Sequence, residues 1–79
     1  MNKICAVKPM EGFRLVLEFC NGSSITIDLS YKVKTARFAV LSNKELFNNV
    51  KARSETVIWG DGILKITLYE LIDIAIGEM

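Results

Sequence analysis

The chain has 79 residues and a net charge of +1, from ten lysines and arginines against nine aspartates and glutamates. It has two cysteines and no histidine, which excludes Ser-His and Cys-His catalytic pairs, imidazole metal ligands and a four-thiolate zinc site. This length predicts one domain over residues 1–79.

The composition favours strands and association. Apolar residues make up 51% of the chain, with nine isoleucines and six valines. A domain of this size buries only about 60–65% of the surface that its unfolded chain exposes, so its stability is modest unless subunits associate. We therefore expect a homo-oligomer, with a well-filled monomer core as the alternative.

The chain ends contain no predicted targeting or membrane segment. Residues 1–8 lack the hydrophobic stretch of a signal peptide, and the apolar run at residues 71–76 is far shorter than the ~20 residues of a membrane span. A cytoplasmic location is expected. Cys5 and Cys20 are then expected to be reduced and packed as small apolar residues, with a disulfide between them as the alternative.

Residues 3–29 predict a β-meander. A strand at residues 3–8 is followed by a turn at residues 9–12, where proline and glycine stand. Residues 13–20 alternate between apolar and mixed positions, as a half-buried strand does. A three-residue loop, 21–23, keeps apolar residues of adjacent strands on one face and predicts Phe19 opposite Ile25, with Gly22 or its neighbour in the left-handed region.

The middle of the chain predicts a short helix and a second group of strands. Residues 30–41 remain open between loop, edge strand and helical turn. Ser42 and Glu45 form a capping box, with Ser42 as the N-cap of a helix that ends near residues 48–49. Strands are predicted at residues 50–53, 56–59 and 63–66.

The last segment predicts an amphipathic helix. Thr67 and Glu70 repeat the capping box, and Gly77 is placed to cap the C-terminus. One apolar stripe follows the helical period, with Ile74 outside it and Glu70 on the wet face. The stripe consists of Leu68, Leu71, Ile72, Ala75 and Ile76. The predicted fold is α+β, an antiparallel sheet packed with a short middle helix and a C-terminal amphipathic helix.

No pattern predicts a cofactor or a metal site. The segment 60–67 has glycines before Lys65 and Thr67, but a phosphate loop requires glycine directly before lysine, and two apolar residues intervene here. The acids form no obvious catalytic pair. We therefore expect a protein that is not an enzyme.

The candidate binding residues are basic, aromatic or apolar. Trp59 is interpreted mainly as a core residue, with an interface anchor as the alternative. The candidates for contact with a protein partner are Trp59, Tyr69, Ile74, Tyr31, Lys32, Lys34 and Arg37. The basic residues from Lys32 to Arg37, with Lys51 and Arg53, support an alternative as a nucleic-acid-associated regulator, although a net charge of +1 favours a solvated surface.

An ordered set of short motifs resembles a small bacterial family known as domain of unknown function 2442. The resemblance runs from about Ile4 to Glu70. The motifs that carry it are Phe19-x-Asn21-Gly22, Asp28-Leu29, Phe38-x-x-Leu41, Leu46-Phe47-x-x-Val50, Thr56-Val57-x-Trp59, Gly62 and Leu68-Tyr69. The resemblance implies an α+β domain with an antiparallel sheet and no established catalytic residue. Relatives are often encoded beside another small protein in pairs that look like toxin–antitoxin modules. The expected function is a protein-interaction module that binds such a partner or itself.

Overall fold

The computed structural model describes residues 3–77 and confirms an α+β fold with antiparallel strands. The strands form two three-stranded sheets rather than the one sheet predicted. Sheet A has the order β1-β2-β3, with β1 at Ile4–Met10, β2 at Arg14–Phe19 and β3 at Ser24–Asp28. Sheet B has the order β4-β5-β6, with β4 at Val50–Arg53, β5 at Thr56–Trp59 and β6 at Leu64–Thr67. The connecting elements are two 3₁₀ segments at Lys32–Lys34 and Ala39–Ser42, the helix α1 at Lys44–Asn48 and the helix α2 at Leu68–Ala75.

The first strand is longer than predicted. It continues through Pro9 to Met10, and the turn lies at residues 11–13, where Gly12 takes a positive φ of 79°. Proline is tolerated at this position because β1 is an edge strand of sheet A and pairs there only with β2. An edge strand does not need every backbone N–H for hydrogen bonds to a neighbouring strand. The turn predicted at residues 9–12 therefore begins two residues later.

The β2–β3 register is shifted by two residues from the prediction, and this shift leaves every side chain on its predicted face. Leu17, rather than Phe19, lies opposite Ile25, and Arg14 lies directly opposite Asp28 instead of diagonally. The loop still has three residues, but they are 20–22, because Phe19 donates its backbone N–H to the Ser23 carbonyl at 2.8 Å. Gly22, with a φ of 93°, thus takes the last loop position, where a three-residue hairpin needs the left-handed region.

Cys5 and Cys20 form a disulfide, so the expectation of two reduced thiols is wrong. The register of β1 against β2 shifts between Ile4 and Ala6, and this irregularity frees Cys5 from the ladder. Cys20 stands in the hairpin loop, with 5.1 Å between the two Cα atoms. This separation lies within the range that disulfide geometry requires.

The N-cap of α1 is Asn43 and not Ser42. The Asn43 side-chain oxygen accepts backbone N–H groups of Glu45 at 2.9 Å and Leu46 at 3.3 Å. Ser42 instead closes the preceding 3₁₀ segment, since its hydroxyl donates to the Ala39 carbonyl at 2.8 Å. Adjacent serine and asparagine are both good caps, and the 3₁₀ segment decides between them.

One hydrophobic core extends across both sheets. Its buried residues come from both sheets, both helices and the 3₁₀ segments. The most enclosed of them are Leu15, Leu17, Ile27, Leu29, Leu41, Val57, Trp59, Ile66 and Leu71. The backbone N–H of Ile4 donates to the Ser54 carbonyl at 2.9 Å, which joins the start of β1 to the end of β4. The two sheets therefore share a core and a backbone connection.

The helix α2 begins and ends as predicted, but its buried stripe is shorter. The Thr67 hydroxyl accepts the Glu70 N–H at 3.3 Å, and Gly77 follows the C-cap with a φ of 76°. Ala75 is exposed and Ile76 is 63% exposed, contrary to the predicted stripe. Ile76 is the C-cap, where the helical period ends, and the short Ala75 side chain does not reach the core. In the described residues no helix has the length and apolar content to cross a membrane.

Candidate interaction surface

The structure brings several of the candidate partner-binding residues together at one cleft. This α2 cleft has a volume of about 210 Å³ and lies between the first 3₁₀ region and α2. It is lined by Lys32, Thr35, Arg37, Phe38, Glu70 and Ile74. Three of these residues were selected from the sequence alone, from segments about forty positions apart.

The first 3₁₀ segment presents its lysines because one valine anchors it. Val33 is buried in the core between two lysines, and its N–H donates to the Leu29 carbonyl at 3.0 Å. Thr35 stops the segment, since its hydroxyl donates to the Lys32 carbonyl at 2.6 Å. Lys32 therefore lies at the cleft with a fixed backbone.

An ion pair crosses from this segment to α2. The Arg37 guanidinium donates to both carboxylate oxygens of Glu70, with 3.2 Å for the Nη2–Oε1 contact. The guanidinium carbon also lies 5.4 Å from the centroid of the Phe38 ring, and Phe38 itself is buried. Glu70 is half-buried rather than fully solvated as predicted. The pair holds Arg37 in one orientation and removes its net positive charge from the surface.

Tyr31 extends into solvent directly before the cleft residues. Its side chain is 79% exposed, the largest exposure among the large hydrophobic residues of this surface. The Lys34 ammonium lies 5.9 Å from the centroid of its ring, within the range of a cation–π contact. An exposed aromatic ring beside oriented basic groups is typical of binding surfaces.

The remaining predicted candidates lie elsewhere. Tyr69 is 48% exposed on α2, but it stands five positions before Ile74 and therefore points about 140° away around the helix axis. Trp59 is fully buried, which confirms its interpretation as a core residue and leaves no surface for a partner. The structure thus keeps Tyr31, Lys32, Lys34, Arg37 and Ile74 in one region and separates the two others.

Lys51 and Arg53 lie on the outer face of sheet B. Lys51 pairs with Ile58, and Ile58 pairs in turn with Lys65 on β6. Lys65 was not among the predicted binding residues, although the predicted strand at residues 63–66 places its side chain on the other face of the sheet from those of Leu64 and Ile66. The alternation of that strand was the signal that could have identified it.

A second, larger groove lies at the β1–β2 turn and was not predicted. It has a volume of about 570 Å³ and is lined by Pro9, Met10, Glu11, Gly12, Phe13, Lys44, Phe47 and Asn48. Phe13 has a positive φ of 59°, which is uncommon for a bulky residue, and its ring meets Phe47 edge to face at 5.3 Å. The sequence predicted a strand that begins at residue 13, but Phe13 lies in the turn and β2 begins at Arg14.

The carboxylate of Asp28 has a structural role in a local turn. Hydrogen bonds from the Ser30 hydroxyl and backbone N–H, with a weaker contribution from Arg14, hold the pKa of Asp28 below its ordinary value. The Ser30 N–H lies 2.8 Å from an Asp28 oxygen, the geometry of a local turn rather than of a reaction site. Within residues 3–77, no group of three or more cysteine, aspartate or glutamate side chains could hold a metal ion.

Comparisons with protein-family models, with curated proteins and with solved structures found no match to this chain.

Proposed function

We propose that this protein is a non-enzymatic protein-interaction module that binds a small protein partner through the α2 cleft and the adjoining Tyr31. The observation that carries this proposal is the convergence of Lys32, Arg37 and Ile74 at one cleft. The nearby Tyr31 is the most exposed aromatic residue of the described chain.

The chemistry of the cleft suits a partner side chain of mixed character. Phe38 and Ile74 supply apolar surface, and Lys32 and Thr35 supply polar groups at the rim. Arg37 is already held by Glu70, so little side-chain entropy is lost when a partner contacts it. Tyrosine and arginine, together with tryptophan, are enriched at interface hot spots.

The resemblance to the bacterial family of unknown function supports a particular kind of partner. We propose that the partner is the product of a neighbouring gene, with this chain as the partner or antitoxin-like member of the pair. Self-association through the same surface is the competing form of this proposal, since a domain this small gains stability from a homo-oligomer.

The proposal assigns no reaction to the protein. The carboxylate of Asp28, whose pKa is lowered by Ser30, serves a turn and faces Arg14 across the strand pair. The proposed binding role requires no catalytic group.

A cytoplasmic location belongs to the proposal, and the disulfide is the feature that tests it. Disulfides persist in oxidising compartments and are rare in the cytosol, where they are usually redox-active. Acid-quenched cells, alkylated before lysis, give the thiol state of Cys5 and Cys20 by mass spectrometry. A reduced pair in the cell supports a cytoplasmic location, and a stable disulfide opposes it.

The direct test is co-expression of the tagged chain with the product of each neighbouring gene, followed by affinity capture and light-scattering mass measurement. We expect a stoichiometric complex that Ile74→Glu abolishes and Tyr31→Ser weakens. Tyr31 is exposed, whereas Ile74 is half-buried and packs against the core. Circular dichroism of Ile74→Glu must therefore match that of the wild type before loss of the complex is assigned to the cleft.

The control for loss of an apolar surface side chain away from the cleft is Ile63→Ser, since Ile63 is 63% exposed in the β5–β6 turn. It should leave the complex intact. If the chain remains a monomer and captures neither neighbouring product, or if Ile63→Ser is as damaging as Ile74→Glu, the proposal is wrong.

A further inference from the structure

We propose a second binding surface, independent of the α2 cleft: the outer face of sheet B binds the phosphate backbone of double-stranded nucleic acid. This basic face consists of the outward side chains of the three strands, namely Lys51, Arg53, Thr56, Ile58, Lys65 and Thr67.

The register fixes where the charges stand. Lys51 and Lys65 lie on either side of Ile58 in one row across the sheet, about 9.5 Å apart at the backbone given the usual strand spacing. Arg53 follows Lys51 on the same face, about 6.7 Å further along the strand. All three cations are exposed, and the sheet holds their backbones in a rigid arrangement.

These cations have no acidic partner in the described residues. The ion pairs there join Lys8 to Glu18 and Arg37 to Glu70. No aspartate or glutamate occupies the outward positions of β4, β5 or β6. The positive charge of this face is therefore available to an external anion, unlike that of Arg37.

The surroundings of the charges favour a duplex. Single-stranded nucleic acid binds through aromatic rings that stack on bases, and the basic face carries no aromatic side chain. Membrane surfaces bind basic patches that also insert apolar side chains, but the central Ile58 is half-buried between its neighbours. An array of cations and hydroxyls suits a regular array of phosphates, which is bound without base specificity.

The test is fluorescence anisotropy of a labelled 20-base-pair DNA duplex titrated with the full chain at several salt concentrations. Three phosphate contacts predict a slope of about −2.7 in log K against log salt, so the affinity falls about 40-fold between 50 and 200 mM. Lys65→Gln should reduce this slope by about 0.9 and weaken binding about 15-fold at 50 mM salt, because one contact is lost.

Lys44→Gln is the matched control, since it makes the same charge change on the exposed surface of α1. It should retain the wild-type slope. The proposal is overturned by absence of duplex binding at 50 mM salt, by equal slopes for the two variants, or by tighter binding to single strands or phosphatidylserine vesicles than to the duplex. Partner capture in the pull-down should be unaffected by Lys65→Gln, which separates this surface from the α2 cleft.

Discussion

The indole nitrogen of Trp59 donates a hydrogen bond to the carbonyl oxygen of Phe47, 3.2 Å away in the core. The two rings are also neighbours, with 6.4 Å between their centroids. This contact joins β5 of sheet B to the last turn of α1, where helix carbonyls lack intrahelical partners. Trp59 therefore fills the core and satisfies a helix end at the same time.

Replacement of Trp59 by phenylalanine should lower the free energy of unfolding by about 2–3 kcal/mol. The change leaves a cavity beside Phe47 and removes the donor from a buried carbonyl, and both effects destabilise. Urea unfolding followed by circular dichroism measures the difference. Tyr69→Phe, at a half-exposed site, is the control and should change stability by less than about 0.5 kcal/mol. Equal effects of the two changes would contradict the structure.

Asn43→Ala should destabilise the protein by about 1 kcal/mol, since it removes the acceptor for the free N–H groups of Glu45 and Leu46 in the first turn of α1. Ser42→Ala removes only a hydroxyl bond to Ala39 in an exposed 3₁₀ segment and should cost less. Denaturant midpoints of the two variants, compared with the wild type, decide which residue is the cap. A larger loss from Ser42→Ala would restore the assignment made from the sequence.

Local patterns predicted the faces of the strands but not their absolute register. Alternation alone places Leu15 and Leu17 in the core, where the structure has them. A shift of two residues between β2 and β3 preserves every face, so alternation cannot exclude it. The register is set by the loop, in which Gly22 takes the left-handed conformation at the last position. Loop conformation therefore distinguishes the two registers, and hydrophobicity does not.

The candidate site was predictable in its residue types and not in its contacts. Arg37 and Glu70 are 33 positions apart, and no local pattern indicates that they pair. The 3₁₀ segment that presents Lys32 also lacks the periodicity of a helix or strand, so residues 30–41 stayed open. Lys65 could have been found from strand alternation, because its position follows from the same rule that buries Leu64 and Ile66.

Reduction of the Cys5–Cys20 disulfide should lower the free energy of unfolding by about 3 kcal/mol, since it releases a loop of 15 residues in the unfolded chain. Urea titrations with and without a phosphine reductant measure this loss. The double variant Cys5→Ser/Cys20→Ser should match the reduced wild type and show no response to reductant. Detection of two free thiols in the native, non-reduced protein would contradict the prediction.

Asp28 should make the protein less stable in acid. Its pKa is lowered in the folded state by the Ser30 hydroxyl and N–H and, less strongly, by Arg14. The stability that these interactions contribute is fully present above the unfolded pKa of about 3.9 and is lost as the pH falls through the lower folded value.

Ser30→Ala removes the largest of these contributions, so the gap between its stability and that of the wild type should narrow as the pH falls from 6 to about 3. Thermal unfolding across this pH range measures the gap in stability. The control is Ser24→Ala, which changes an exposed serine on β3, the strand that contains Asp28. Its difference in stability from the wild type should stay constant with pH. A Ser30→Ala difference that is independent of pH would show that the hydroxyl does not stabilise the Asp28 carboxylate.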